Sequence, residues 1–93
     1  MHFSWDPNKS TSNQKKHKVS FEEAVTSFYD ENALLIPDPE HSKEEERFIL
    51  LGVSRQFRVL LVSHCYRDND DSVRIISARK ASKNELSKYE EMQ

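Results

Sequence analysis

Four cationic side chains lie close together near the end of this chain, in a segment from Val73 to Lys83 without acids. They are Arg74, Arg79, Lys80 and Lys83. The apolar residues between them follow a strand pattern, and regular elements hold side chains more rigidly than loops do. Arginine can bind a phosphate through two parallel hydrogen bonds, and lysine adds a point charge. The segment therefore predicts a rigid cationic surface for a polyanion, with Arg74 and Arg79 as the first candidates and Lys80 beside them.

The spacing of the two arginines creates a geometric problem. Successive side chains of a strand point to opposite faces, so a regular strand would place Arg74 and Arg79 on opposite sides of the sheet. Two solutions are open: the strand bends near Ser77, or one arginine contacts the phosphate and the other is structural. The alternative for each arginine is a surface residue that pairs with the acidic segment of the chain.

Histidine exchanges protons near neutral pH, which makes His64 a candidate base or acid at the end of the longest predicted strand. A structural histidine with hydrogen bonds at a strand end is the alternative. Lys16 and His17 are the second candidates, because their polar helix has no core face that would explain its composition. Glu45 and Glu46 could supply a carboxylate base, although an acidic turn explains this run better.

The chain has no spacing that favours a metal site, and it has no glycine-rich phosphate loop. Its four histidines show no ligand-pair spacing, and Asp68–Asp71 lacks the glycine and final glutamate of a calcium loop. The lone Cys65 excludes an intramolecular disulfide and indicates a reducing compartment. No apolar run reaches the ~18 residues of a membrane span, and the opening is not a signal peptide. We expect a cytoplasmic protein without cofactor, metal or membrane contact.

A net charge of −2 conceals a strong segregation of charge along the chain. Residues 7–19 carry +4, residues 20–46 carry −8, and residues 72–84 carry +4 again. Such a distribution can steer an anionic ligand towards one side of a domain. The alternative is that the charges merely cover solvated faces.

The elements that must position these residues follow from apolar periodicity and helix caps. Asp6 before Pro7 predicts a helix start, and capping boxes predict further helices after Ser20 and Ser82. Phe21, Ala24, Val25 and Phe28 predict the core face of the second helix, and Leu86, Tyr89 and Met92 that of the last. The expected elements are a strand at 3–5, helices at 8–18 and from 21 to about 30, strands at 33–36, 47–53, 56–66 and 73–78, and a helix from 83. Short connections favour a meander, so we predict one α+β domain over residues 1–93 with a single-layer antiparallel sheet, two N-terminal helices and one C-terminal helix.

Four stretches of the chain form an ordered set of motifs. They are Trp5-Asp6 with Lys9, Asn13, Lys16-His17 and Val19–Ala24; Glu45-Glu46-Arg47 with Gly52 and Ser54; Arg74–Ala81; and Glu85 with Tyr89-Glu90. In their order and spacing these stretches resemble BrnT-type toxins. The chain departs from the family pattern at Lys18, where glycine is common. A glycine there would supply the left-handed residue that ends a helix, so the end of the first helix is left open.

The resemblance implies a RelE-like fold and a type II toxin–antitoxin module whose toxin blocks translation by cutting RNA. It also implies a BrnA-like ribbon-helix-helix antitoxin as partner, contact with DNA only through the complex, and a toxin homodimer within a heterotetramer. Cutting RNA without a metal requires a base for the 2′-hydroxyl, cations for the phosphorane and an acid for the leaving 5′-oxygen. The candidates are Arg79, Arg74, His64, Lys80, Lys16 and His17. The alternative is a non-enzymatic module that binds RNA or an acidic protein through the cationic face.

Overall fold

A computed structural model describes residues 1–93, which form one five-stranded sheet, three α-helices and a short 3-10 helix. In chain order these are β1 (His2–Ser4), α1 (Pro7–His17), α2 (Phe21–Ser27), β2 (Leu34–Pro37), the 3-10 helix (Pro39–His41), β3 (Phe48–Val53), β4 (Val59–Arg67), β5 (Ser72–Lys80) and α3 (Lys83–Glu91). None of the helices combines the length and the apolarity needed to cross a lipid bilayer.

The sheet has the order β1-β5-β4-β3-β2 and is mixed. Strands β2 to β5 pair antiparallel as a meander, as predicted, but β1 pairs parallel with β5. The prediction of a purely antiparallel sheet is therefore wrong. The direction of a three-residue strand depends on where the next element packs, and α1 packs against β5. The local pattern around Phe3 carries no signal for that contact.

The main core lies between the first two helices and one face of the sheet. Its buried residues are Val19, Phe21, Ala24, Leu50, Leu60, Val62, Val73, Ile75 and Ala78. Trp5 packs edge-to-face on Phe21 with ring centroids 5.8 Å apart, a geometry that adds to the stabilisation from area burial. Phe21 and Ala24 confirm the predicted core face of α2. On α3 only Tyr89 is buried, while Leu86 and Met92 are exposed.

The helix caps agree with the sequence signals except in two details. The Asp6 carboxylate accepts a hydrogen bond from the Asn8 N–H at 2.8 Å, and Ser82 and Glu85 form a complete capping box. Ser20 caps α2, but Glu23 does not complete that box, because its carboxylate binds Arg58 instead. In addition, α2 ends at Ser27, about a turn earlier than predicted.

Lys18 fills the left-handed position that ends α1. Its φ is 60°, its N–H donates to the Gln14 carbonyl, and its own carbonyl accepts from Arg58 Nη2 at 2.9 Å. The same guanidinium binds Glu23, which is 5% exposed, at 2.6 Å, and this pairing lowers the pKa of the Glu23 carboxyl. Arg58 is thus a structural cation that joins the end of α1 to the start of α2.

Gly52 lies within β3 and not in the following turn, which spans residues 54–58. A Cβ atom at this position would stand 2.8 Å from the Ser27 carbonyl oxygen and 3.1 Å from the Ala33 Cβ. The glycine is therefore required because the end of α2 approaches the sheet closely here.

Asn13 of α1 closes the edge of β5 beyond the short strand β1. Its amide oxygen accepts from the Ala78 N–H at 3.0 Å, and its amide nitrogen donates to the Ala78 carbonyl at 2.8 Å. The same nitrogen donates to the Val19 carbonyl at 2.9 Å. One buried side chain thus replaces a strand at this edge and fixes α1 beside β5.

Candidate functional site

Strand β5 contains a bulge at Ile76. Ser63 of β4 pairs with Ser77, whereas the next residue, His64, pairs with Ile75. Two adjacent residues of β4 therefore face three residues of β5, and Ile76 is the additional one. A bulge of this kind reverses the alternation of side chains in the strand that contains it.

The bulge brings the two predicted arginines to one face of the sheet. Arg74 pairs with Cys65, and Arg79 pairs with Leu61, four residues away on the regular strand β4. Directly paired residues of antiparallel strands project on the same side. Of the two solutions left open by the sequence, the irregular strand is the one observed. We call this side of the sheet the arginine face; it lies opposite the core formed with α1 and α2.

Arg79 is held by Glu85 of α3 through two parallel hydrogen bonds. Nη1 donates to Oε1 at 2.8 Å and Nη2 donates to Oε2 at 2.9 Å. The Arg79 guanidinium lowers the pKa of Glu85 to about 2. Arginine has five N–H donors, of which two bind Glu85 and one binds the Lys80 carbonyl. Two donors remain for a ligand, and the carboxylate fixes the direction in which they point.

A cavity of about 380 Å³ lies on the arginine face, and we call it the groove. This volume is within the range of ligand sites. Ile49, Leu61, Ser63 and Ile76 line it together with Ser77 and Ala78 of the sheet, and its charged or titratable residues are His17, Asp38, His41, Arg47, Arg79 and Glu85. At its edge the His41 Nδ1 lies 2.9 Å from the Asp38 Oδ2.

Arg47 connects the groove with two neighbouring cavities. Its Nε atom is buried and has no hydrogen-bond partner. Buried donors are almost always satisfied, so this unpaired N–H is an exception among the buried polar groups of the chain. A neighbouring cavity of about 130 Å³ places Arg47 beside Arg67 and Arg74.

Cations of α1 adjoin those of the sheet. Lys9, Lys16 and His17 line a shallow cavity that also includes Ile76 and Ser77 of the bulge. His17 is shared with the groove that contains Arg79, and Lys9 is shared with the cavity that contains Arg74. The predicted site residues Arg74, Arg79, Lys16 and His17 therefore lie along one continuous surface.

His64 and Lys80 lie outside this surface. His64 is 0% exposed and projects into the core, where its ring packs 4.9 Å from Phe28. Its burial lowers its pKa, so it stays neutral at physiological pH. The role of base or acid predicted for His64 does not fit this position, because no substrate reaches the ring. Lys80 pairs with Leu60 and therefore projects from the face opposite Arg79, which removes the predicted point charge from the site.

A family model for the ribonuclease toxin BrnT of type II toxin–antitoxin systems matches residues 5–85. The chain belongs to the BrnT family. It is a ribonuclease toxin, with an antitoxin as partner and RNA as substrate. The fold is similar to the 1.1 Å crystal structure of the Brucella abortus ribonuclease toxin BrnT, with a TM-score of 0.69 and 21% identity over 89% of this chain and 99% of that one. No curated protein matches the chain.

Four residues of this BrnT surface were missed as site residues in the sequence: Asp38, His41, Arg47 and Glu85. In the sequence, Glu85 was given a role only in a capping box and Arg47 was placed beside two glutamates; both belong to the motifs of the family resemblance, but neither was named as a site residue. The spacing Asp-x-x-His at 38–41 is a usable signal, because a single helical turn brings these side chains together. Nothing in the sequence connects that turn with Arg79, since β3 and β4 lie between them in the chain.

Proposed function

We propose that the chain cleaves RNA without a metal, by attack of the ribose 2′-hydroxyl on the adjacent phosphate in the groove. The observation that carries the proposal is the placement of Arg74, Arg79 and Arg47 on one face beside a cavity that can hold a phosphate. Guanidinium groups held in advance stabilise the charge that develops on the phosphorane oxygens. Lys16 and His17 extend the cationic surface along α1 for the flanking nucleotides. We also propose a RelE-like fold, cytoplasmic action and inhibition of translation as the result of the cleavage.

The test uses purified wild-type protein, end-labelled RNA and a chelator. Attack by the 2′-hydroxyl leaves a 2′,3′-cyclic phosphate and a 5′-hydroxyl on the product ends. We expect such ends in the presence of the chelator. Cleavage that requires an added divalent metal, or that leaves other ends, would contradict the mechanism.

The matched variants are Arg79→Ala and Arg55→Ala. Arg79 lies in the groove, whereas Arg55 is an exposed residue of the 54–58 turn. Loss of one preorganised transition-state contact lowers a rate by about 10²–10³-fold, so Arg79→Ala should lose cleavage and growth arrest while Arg55→Ala keeps both. Equal activity of the two variants would remove Arg79 from the site.

The non-enzymatic alternative predicts salt-sensitive retention of intact RNA by the same protein. For the partner, we propose a BrnA-like ribbon-helix-helix antitoxin that gives the complex its contact with DNA, with a toxin homodimer inside a heterotetramer. Co-purification with the antitoxin and a native mass measurement test this arrangement. A one-to-one complex would contradict it.

A further inference from the structure

We propose that His41 is the general base of the RNA cleavage and that Asp38 is its positioning residue. This inference rests on the proposed function and names the group that accepts the 2′-hydroxyl proton. His64, the base expected from the sequence, is enclosed in the core, so the groove needs another one. His41 and His17 are the two histidines that line the groove, and only His41 is held by a carboxylate.

The pair has the geometry of an oriented base. His41 Nδ1 donates to Asp38 Oδ2 at 2.9 Å, because an ionised carboxylate can only accept. This bond places the proton of the neutral imidazole on Nδ1 and leaves the lone pair on Nε2. The His41 side chain is 62% exposed, whereas that of Asp38 is 14% exposed. The imidazole is therefore open to a substrate while its partner is shielded, which is the logic by which an aspartate orients a catalytic histidine.

The connection to the reacting phosphate comes from the shared cavity. His41 and Asp38 line the same groove as Arg79 and Arg47, and Arg47 carries the buried N–H without a partner. Hydrogen bonds join the two ends of the segment from Asp38 to Arg47. The Asp38 N–H donates to the Arg47 carbonyl at 2.9 Å, and the Arg47 N–H donates to Ser42 Oγ at 2.9 Å. The base and one anion-binding arginine are thus fixed to each other through a short backbone link.

The step balances without a co-reactant. His41 Nε2 takes the proton of the 2′-hydroxyl as the 2′-oxygen forms a bond to phosphorus. The bond between phosphorus and the 5′-oxygen breaks, and the leaving oxygen takes a proton from water, which the open groove admits. The imidazolium that forms is stabilised by Asp38 and then returns its proton to solvent. The products are a 2′,3′-cyclic phosphate and a 5′-hydroxyl.

The charged and titratable groups around His41 belong to α1, β5, α3 and the segment that contains His41 itself. Across the groove lie His17 of α1, Arg79 of β5 and Glu85 of α3. From the same segment come Asp38 and Arg47, and a second cavity beside His41 adds Glu40, Lys43, Glu44 and Glu45.

The test compares His41→Asn, Asp38→Asn, His17→Asn and His2→Asn in single-turnover cleavage between pH 5 and 8. Asparagine at position 41 can keep a bond to Asp38 but cannot accept the proton. His2 is an exposed histidine at the other edge of the sheet and is the matched control. We expect His41→Asn to lower the cleavage rate by about 10²–10⁴-fold with RNA affinity unchanged, and to flatten the pH profile that His2→Asn retains. Asp38→Asn should lower the rate less and shift that profile.

The outcomes separate this inference from the proposed function. If the wild-type protein leaves RNA intact, the proposed function fails before any variant is considered. If the wild-type protein cleaves RNA and His41→Asn retains its rate and profile, His41 is not the base. A flattened profile in His17→Asn alone would assign the proton transfer to α1 and overturn the role of His41. Unchanged circular dichroism and RNA affinity of His41→Asn exclude loss of the fold as the cause.

Discussion

The pair formed by Arg79 and Glu85 has two effects on the site. The carboxylate removes part of the net positive charge of the guanidinium, and it fixes the direction of the remaining N–H donors. Orientation is the more useful of the two for catalysis, because a preorganised donor needs no rearrangement when charge develops on the phosphate. A lysine at position 79 could not make this two-point contact with Glu85, because an ammonium group lacks the planar fork of N–H donors that arginine has. Glu85 therefore holds the Arg79 guanidinium in a fixed orientation.

The same pair makes the free energy of unfolding depend on pH. The pKa of Glu85 is about 2 in the folded protein against 4.5 for a free side chain. A carboxyl group with a lowered pKa contributes stability above the unfolded value and loses it as the pH falls towards the folded value. We expect Glu85→Gln to reduce the free energy of unfolding near pH 7. The difference from the wild-type free energy should shrink as the pH falls from about 4.5 to 2. Urea denaturation at several pH values measures this, and a difference that stays constant with pH would contradict it.

Individual residues show what the sequence can and cannot reveal about the site. The residue types of Arg74, Arg79, Lys16 and His17 were enough to make them candidates, and the structure places all four along one surface. The side from which each projects was not visible, because a single bulged residue changes the alternation. His64 was selected by type alone, and the aromatic rings of Phe28 and Phe48 that surround it are distant in sequence.

At the level of elements, helix starts were predictable because a cap is a local interaction. Asp6, Ser20 and Ser82 each bind an N–H two or three residues away, so the required partners are adjacent in the sequence. The direction of β1 and the closure of the β5 edge by Asn13 depend on contacts between distant segments. Asn13 and Ala78 are 65 residues apart.

The hydrogen bonds of Asn13 allow a prediction of how much the contact between α1 and β5 contributes to stability. Asn13→Ala leaves one buried N–H and two carbonyls without their partner, and such groups each cost about 1–3 kcal/mol. We expect a loss of about 2–4 kcal/mol in the free energy of unfolding. Asn13→Asp should be no better, because it keeps the acceptor for Ala78 and loses both donated bonds. Denaturant titration measures the effect.

The control for this prediction is Gln14→Ala, one position further along α1 and exposed. Because its side chain makes no hydrogen bond, we expect a change within about 0.5 kcal/mol. A similar loss in Gln14→Ala and Asn13→Ala would indicate a general effect on the helix.

Across the whole molecule, side chains of like charge that are clustered in the sequence also lie together in the fold. The basic segments around α1 and β5 adjoin along the bulge, and the acids of residues 38–46 stand at one side of the groove. A net charge of −2 therefore does not describe the field that an RNA strand meets.

This arrangement predicts how RNA binding depends on salt. Each phosphate contact to a single strand contributes about 0.7 to the slope of log affinity against log salt concentration. Lys9→Ala and Lys16→Ala should each reduce the slope by about that amount. Arg55→Ala should leave it unchanged, because Arg55 is exposed and lines none of the cavities of the site. Fluorescence anisotropy with a non-cleavable 2′-methoxy RNA measures the slopes, and equal slopes for all three variants would contradict the assignment of α1 to the binding surface.

The bulge at Ile76 has a consequence for comparing this chain with its relatives. A relative that lacked the bulged residue would form a regular strand in which the two arginines stand four positions apart, so both would still project from the arginine face. A relative that kept all the residues of this segment but paired them without a bulge would instead project its second arginine among the apolar side chains beneath the first two helices. An even separation without a bulge and an odd separation with one are therefore equivalent for this surface, and an alignment that places its gap at the bulge keeps the two arginines matched.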